Sequence, residues 1–214
     1  NAARTMVFNS YELKWDDELM DMLDLPWKIF PEVKESVGLF GYADPEWFGA
    51  EIPITGIAGD QSAALFGQAC FEEGTAKNTY GTSAVPLMFT GDKAPETEKG
   101  LLTVAWGKDG KVKYSMGASI LIAGQVIQWL RDKVNICEKA ADTEAMAESI
   151  PDNGGLYFVP AFTGLGAPHW NMNARGMMIG ITAATTKEQM ARAALESMAY
   201  QTRDLLEEME RNSG

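Results

Sequence analysis

Ile52-Pro-Ile-Thr-Gly-Ile-Ala-Gly-Asp-Gln61 is the stretch that decides the fold of this chain. Its first part, residues 52–58, is an apolar run of strand length. Gly59 permits a tight turn, and the small residues over 62–69 favour a helix. We interpret the stretch as a buried strand, a turn and a helix, which is the repeating unit of α/β domains.

Elements on both sides of this stretch also mix helices and strands. Apolar residues at helical spacing predict helices over 17–24, which begins after a capping carboxylate, and over 121–134 and 143–149. A long final helix is predicted to begin at a Thr185-x-x-Glu188 capping box. Strand-forming residues and an Asp-Gly turn predict strands over 75–90, 101–106, 111–116, 156–161 and 177–182. The mixture places the chain in the α/β class.

The overall composition limits the function classes. The 214 residues are 46% hydrophobic and 22% charged, as in ordinary soluble globular proteins. The formal charge of -12 argues against a partner that is bound through nucleic-acid phosphates. Cys70 and Cys137 belong to no Cys-x-x-Cys or Cys/His cluster, so neither a disulfide framework nor a zinc site is predicted. The sequence shows no membrane span or signal peptide, and we expect a cytoplasmic protein.

Asp60 is the first candidate for chemistry. A carboxylate between a strand and the following helix lies at the carboxyl edge of the sheet, where open α/β sheets bind ligands. As a general base, Asp60 would take the proton from an attacking hydroxyl. The same position also suits a carboxylate that only caps the helix. The local sequence leaves both interpretations open.

Two further places carry candidate ligand-binding residues. Tyr80-Gly-Thr-Ser83 combines a glycine with two hydroxyls, which suits either a phosphate contact or a hairpin turn. Gly124 lies early in a predicted helix, and Gln128 follows one turn later on the same face. A nucleotide that needs close approach explains this pair, and tight helix packing explains the glycine equally well. His169, the only histidine, lacks a nearby metal partner and receives no role.

Six segments resemble, in the same order, segments of glycerol kinases, which belong to the sugar- and polyol-kinase family with the actin-like fold. They are Ile-Pro-Ile-Thr-Gly-Ile-Ala-Gly-Asp-Gln, Lys-Asn-Thr-Tyr-Gly-Thr, Ala-Gly-x-x-Ile-Gln-Trp-Leu-Arg-Asp, Val-Pro-Ala-Phe-Thr-Gly-Leu-Gly-Ala-Pro-x-Trp, Ala-Arg-Gly and Leu-Glu-Ser-x-Ala-Tyr-Gln-Thr-Arg-Asp. The resemblance implies an internal fragment with parts of two ribonuclease-H-like domains. Residues 1–70 would be the C-terminal part of the first, substrate domain, and residues 71–214 the N-terminal part of the second, nucleotide domain.

The resemblance also implies a reaction and the residues that carry it. Asp60 matches the base that deprotonates the glycerol hydroxyl attacking the γ-phosphate of ATP, and Asp60 and Gln61 match residues that hold glycerol. Thr82 matches a threonine that contacts the nucleotide phosphates, while Gly124 and Gln128 match nucleotide contacts. ATP and Mg²⁺ are the implied cofactors, and no residue of this chain is assigned as a metal ligand. The implied product is glycerol 3-phosphate.

The sequence departs from the family pattern at two positions, and these departures leave the substrate and the regulation open. Val85 stands where the family carries an aromatic that packs against the glycerol carbons, which favours a kinase for a larger polyol or a ketose. Glu51 stands where some bacterial members carry an arginine for a sugar bisphosphate effector, so we do not expect that regulation. An actin-like nucleotide-binding protein is a third possibility. Family motifs expected before Asn1 and after Gly214 are missing, so we expect this chain to be inactive alone and its parent to be a homo-oligomer.

Overall fold

The computed structural model describes residues 1–97 and 101–213. Over these residues the chain forms two compact units. Unit 1 consists of Asn1–Lys77 and Leu87–Gly117, and unit 2 consists of Asn78–Pro86 and Ala118–Asn212. Within the described residues, no helix combines the length and the apolar character that a bilayer crossing requires.

Unit 1 begins with two short strands and a helix. Strands β1 (Phe8–Asn9) and β2 (Lys14–Trp15) pair antiparallel, and helix α1 (Asp17–Met22) follows them. The carboxylate of Asp16 accepts a hydrogen bond from Leu19 N at 3.0 Å and caps α1. The predicted carboxylate-capped helix is therefore confirmed, although it ends at Met22 rather than at residue 24.

The deciding stretch forms the predicted strand, turn and helix. Strand β3 (Val37–Ala43) and the short helix α2 (Pro45–Phe48) come first; strand β4 (Ile52–Gly56) and helix α3 (Asp60–Gly67) follow. Strand β4 pairs antiparallel with β3. The predicted burial of this strand is wrong, because every residue of β4 is exposed. A two-stranded sheet covers little of its own surface, so apolar composition alone does not bury it.

A four-stranded sheet follows α3 along the chain. Its strands are β5 (Ala76–Tyr80), β6 (Ala84–Gly91), β7 (Leu102–Lys108) and β8 (Lys111–Gly117), in the order β5-β6-β8-β7. Both β6 and β7 pair antiparallel with β8. The turn between β7 and β8 consists of Asp109-Gly110 with φ values of 55° and 73°, which is the backbone that a two-residue hairpin requires. The predicted hairpin is therefore confirmed.

Aromatic rings hold α3 against this sheet within unit 1. Trp106 of β7 stacks on Phe89 of β6 with ring centroids 5.2 Å apart and an interplanar angle of 12°. The same indole meets Phe66 of α3 edge to face at 5.3 Å and Phe71 at 6.2 Å. Such ring pairs contribute about 0.5–1.5 kcal/mol each beyond the burial of their surface. They fix the position of α3 and therefore of Asp60, which begins it.

Unit 2 is built around its helices. Helix α4 (Gly124–Trp129) continues as a π-helical turn, and helix α5 (Asp142–Glu148), strands β9 (Tyr157–Val159) and β10 (Met177–Ile179), and the long helix α6 (Lys187–Ser213) follow. Strands β9 and β10 pair antiparallel. One buried core joins α4, β9 and α6; its members are Ile122, Val126, Ile127, Leu130, Leu156, Phe158, Ala193 and Ala194.

The capping box of α6 lies one residue later than predicted. Thr186 Oγ1 accepts a hydrogen bond from Gln189 N at 3.4 Å, and Gln189 Oε1 accepts one from Thr186 N at 3.0 Å. Thr185 Oγ1 instead accepts a hydrogen bond from Thr182 N at 2.9 Å, in the turn before the helix. The predicted pair of Thr185 and Glu188 is therefore wrong. Two consecutive threonines have the same capping groups, and the backbone conformation of the turn determines which of them caps the helix.

We expect this chain, when isolated, to associate in solution. Leu39 of β3 is 52% exposed and Ile54 of β4 is 42% exposed, and both belong to a larger set of open apolar side chains on this sheet. Analytical ultracentrifugation should give a mass above that of one chain, and Leu39→Asp together with Ile54→Asp should shift the mass toward the monomer. A monomer at the highest soluble concentration would contradict the expectation.

Candidate functional site

Asp60 lies in the first turn of α3, and it is exposed. Gly59 occupies the N-cap position, where it has φ −68° and ψ 148° and no side chain to donate or accept. Asp60 is therefore not the residue that caps the helix, which removes the capping interpretation. A carboxylate in the first turn is still stabilised by the helix dipole, and here it is accessible to a ligand.

Gln61 connects Asp60 to a buried lysine within unit 1. Gln61 Nε2 donates a hydrogen bond to Asp60 Oδ2 at 3.3 Å, while Gln61 Oε1 accepts one from Lys77 Nζ. Lys77 lies on β5 and is 3% exposed. Burial lowers the pKa of the Lys77 ammonium below its usual range, and the Asp60 carboxylate opposes this effect. Lys77, Gln61 and Asp60 thus form a chain of contacts that leads from a buried ammonium to an exposed carboxylate.

Lys77 is the residue that the sequence analysis missed. It lies in the Lys-Asn-Thr-Tyr-Gly-Thr segment, which carries the family resemblance but assigns no role to the lysine. Side chains alternate between the two faces of a strand, and a lysine on the buried face is rare unless it has a partner. The alternation was the available signal. This signal is useful only when the buried face of β5 is known, and the side chains of the neighbours Ala76 and Asn78 do not indicate which face that is.

In unit 2, the loop over 81–83 meets the start of α4 through backbone hydrogen bonds. Gly124 N donates to Gly81 O at 2.9 Å, and Ala123 N and Gln125 N donate to Thr82 O at 2.9 and 3.1 Å. The loop carbonyls therefore satisfy amides that the first turn of a helix cannot satisfy internally. This contact explains why the helix begins at Gly124 and corrects the start predicted at residue 121.

Gly124 is explained by the same contact. A Cβ at this position would lie 2.6 Å from Gly81 O, which is closer than a carbon atom can approach. Close approach is therefore required, as the sequence analysis proposed, and within unit 2 the loop supplies it. Thr82 and Gln128 are both exposed, and their hydroxyl and amide are groups that nucleotides bind. A role for the three residues in nucleotide binding stays a prediction.

Helix α6 supports this corner of unit 2. Tyr80 OH, at the end of β5, lies 3.1 Å from Thr202 Oγ1. Gln201 Nε2 donates to Ile122 O at 3.2 Å, just before α4 begins. Helix α6 thus contacts Tyr80, just before the 81–83 loop, and Ile122, just before α4. The loop and α4 therefore share one support in unit 2.

The side chains of His, Cys, Asp and Glu are the usual protein ligands of metal ions. Over 1–97 and 101–213, no group of three or more His, Cys, Asp or Glu side chains is arranged to hold a metal ion. His169 Nε2 instead lies 3.2 Å from Asp204 Oδ2 at a half-exposed position. Kinases commonly hold Mg²⁺ by one or two carboxylates together with the phosphates of the nucleotide.

We expect Gly124→Ala to lower the free energy of unfolding by about 1–3 kcal/mol, as overpacking does elsewhere. The new methyl group would force the 81–83 loop away from α4. Gly67→Ala is the matched control, because no heavy atom lies within 4 Å of its added Cβ. Urea unfolding followed by circular dichroism, in the longer protein that contains this chain, measures both changes. An unchanged transition for Gly124→Ala would contradict the loop contact.

Comparison with known protein families matches both parts of the chain. Residues 1–67 match the model described as FGGY family of carbohydrate kinases, N-terminal domain. Residues 76–214 match the model described as FGGY family of carbohydrate kinases, C-terminal domain. Residues 68–75, just before β5, separate the two matched ranges.

Among curated relatives, the glycerol kinase of Carboxydothermus hydrogenoformans is 60% identical, and glycerol kinase 2 of Thermotoga maritima is 56% identical. Each alignment includes 100% of this chain and 43% of the relative. The chain therefore spans less than half the length of the curated relatives that it matches.

Solved structures show the same fold. The Plasmodium falciparum glycerol kinase with ADP matches with a TM-score of 0.89 at 34% identity, over 100% of this chain and 43% of that one. The xylulose kinase of Lactobacillus acidophilus matches with a TM-score of 0.77 at 22% identity, over 95% and 42%, which is a likeness of fold alone. The prediction of an α/β chain with parts of a ribonuclease-H-like, actin-like fold is confirmed.

Proposed function

Because the chain belongs to the FGGY family of carbohydrate kinases, we propose that the longer protein containing it phosphorylates glycerol with ATP to give glycerol 3-phosphate. The observation that carries the proposal is Asp60, an exposed carboxylate in the first turn of α3 that is held by Gln61. Relatives named glycerol kinase that match the whole chain at 54–60% identity support glycerol as the substrate.

Asp60 acts as the general base of this reaction. Its carboxylate accepts the proton of the attacking hydroxyl while the hydroxyl oxygen bonds to the transferred phosphorus and the bond to the departing ADP oxygen breaks. A carboxylate within hydrogen-bond reach suffices for this step when the transition state is loose. The Gln61 amide nitrogen has two N–H groups, so it can donate to Asp60 and to a substrate oxygen together.

Thr82, Gly124 and Gln128 form the proposed nucleotide-binding group in unit 2. The exposed hydroxyl of Thr82 can donate to a phosphate oxygen, and the exposed amide of Gln128 can bond the ribose or the base. ATP supplies the phosphoryl group, and Mg²⁺ neutralises the charge that develops on it. The glycerol kinase of Plasmodium falciparum, which was solved with ADP, supports the proposal that a protein of this fold binds a nucleotide.

The remaining features of the proposal follow from the family. Residues 1–70 would belong to the substrate domain and residues 71–214 to the nucleotide domain, which the matched ranges 1–67 and 76–214 support. We place the protein in the cytoplasm, where ATP is available, and expect the parent to be a homo-oligomer. The net charge of -12 is the reason for proposing no nucleic-acid partner.

We expect Asp60→Asn in the longer protein to lower kcat for glycerol by about 10²–10⁴-fold, the usual contribution of a general base. The KM for ATP should stay unchanged, because nucleotide binding is assigned to unit 2. A coupled assay of ADP formation with varied glycerol measures both constants. Asp109→Asn, in the exposed β7–β8 turn, is the matched control. Wild-type rates in Asp60→Asn would contradict the role of Asp60, and ATP turnover independent of any polyol would favour the actin-like alternative.

Val85 supports a second candidate, a kinase for a larger polyol or a ketose. This half-buried valine lies at the start of β6, where the family pattern has an aromatic ring against the glycerol carbons. A smaller side chain leaves more room for additional carbons of a substrate. A difference of one methylene group in an apolar pocket changes kcat/KM by about 10–200-fold.

We expect Val85→Phe to lower kcat/KM for xylitol relative to glycerol by about tenfold or more, by the same steric reasoning. The assay compares glycerol, xylitol and a pentulose in the wild type and the variant. Leu39→Phe adds a ring at an exposed position and serves as the control. If the ratio of kcat/KM for xylitol to that for glycerol is unchanged, the valine does not determine the substrate. If the wild type prefers the pentulose, the pentulose replaces glycerol as the proposed substrate.

A further inference from the structure

Lys77 is a charged side chain in an unusual place. It is 3% exposed on β5, whereas lysines almost always keep their ammonium group in water. A buried ammonium is costly unless a partner accepts its hydrogen bonds. Its contact with Gln61 Oε1 brings it into the group that contains the proposed base.

The chemistry of the three groups fixes how Gln61 is oriented. An ammonium can only donate hydrogen bonds, so it selects the oxygen of the Gln61 amide. A carboxylate can only accept them, so Asp60 selects the nitrogen. The two neighbours therefore favour the same orientation, and Gln61 Nε2 lies 3.3 Å from Asp60 Oδ2 as a result. The amide nitrogen has a second N–H, which no hydrogen bond to the described residues uses.

We propose that Lys77 is a positioning residue for the polyol: it anchors the Gln61 amide so that its nitrogen faces both Asp60 and the substrate hydroxyl. The proposal rests on the proposed function, because it names a further residue of the same site. Lys77 touches neither the reacting atoms nor the nucleotide in this role. In this role it acts on the substrate through Gln61.

Electrostatics within unit 1 agrees with this arrangement. Burial lowers the pKa of Lys77, and the Asp60 carboxylate is the neighbour that most opposes the shift. The Asp60 carboxylate therefore lies close enough to favour the charged form of Lys77, the form that donates to Gln61. A side chain that served only to fill space in β5 would need neither a charge nor a donor at this point.

Loss of Lys77 should therefore impair the binding and phosphorylation of the polyol and leave nucleotide binding unchanged. Lys77→Met keeps an unbranched side chain, one atom shorter, and removes the donor and the charge. Misplacement of a substrate-positioning group by about 1 Å can cost about 10²-fold. We expect kcat/KM for glycerol to fall about 10–100-fold in Lys77→Met, with the KM for ATP unchanged. Lys77→Arg, which can still donate, should recover part of the loss.

The experiment measures steady-state kinetics of the longer protein with glycerol and ATP varied separately. Its variants are Lys77→Met, Lys77→Arg, Gln61→Leu and the double variant of Lys77→Met with Gln61→Leu. Lys111→Met removes an exposed lysine of β8 and serves as the matched control. Because Lys77 acts through Gln61, the second substitution should add little to the first, whereas independent residues would give additive losses.

Equal effects of Lys77→Met on the constants for ATP and glycerol would overturn the proposal, and so would additive losses in the double variant. If Lys77→Met does not fold, Lys77→Leu carries the same expectation, because it also removes the donor and the charge, and a wild-type kcat/KM for glycerol in that variant would overturn it. A wild type that phosphorylates no polyol would overturn the proposed function itself. An active wild type with an unaffected Lys77→Met variant would overturn only the role of Lys77.

Discussion

Gly59 is the constraint on which the chemistry of unit 1 depends. The chain leaves β4, takes an extended conformation at Gly59 and enters α3 at the next residue. Because the N-cap position carries no side chain, the first side chain of the helix is Asp60. The ring contacts of Phe66 with Trp106 then hold α3 on the sheet. A carboxylate is thus fixed in a helix's first turn by backbone conformation and by apolar packing, and neither consumes its acceptor capacity.

Much of this arrangement could be predicted from the sequence. The change from an apolar run to small residues at Gly59 located both the strand and the helix, and Asp109-Gly110 located the hairpin. These are local features, in which neighbouring residues determine the backbone. The prediction of the capping box was wrong by one residue because Thr185 and Thr186 have identical side chains. The prediction that β4 is buried was wrong because burial depends on which other segments cover a strand.

Contacts between distant residues were the hardest to predict. Lys77 follows Gln61 by sixteen positions, and only the sheet brings the ammonium to the amide. In unit 2, the carbonyls of the 81–83 loop accept hydrogen bonds from the first amides of α4. Backbone groups are common to nearly all residue types, so the sequence does not indicate such a contact. Gly124 was the single indication, since it showed that something approaches closely. That the neighbour within unit 2 is Gly81 O required the structure.

Transfer to a hydroxyl is what separates a polyol kinase from a nucleotide-binding protein that only hydrolyses ATP. Phosphorus nuclear magnetic resonance distinguishes the two, because a phosphate monoester and inorganic phosphate give separate signals. The longer protein should be followed with ATP, Mg²⁺ and glycerol until the ATP is consumed. With Asp60 as the base for a glycerol hydroxyl, each ADP formed should be matched by one molecule of glycerol 3-phosphate. Inorganic phosphate as the sole product, formed at the same rate without glycerol, would contradict it.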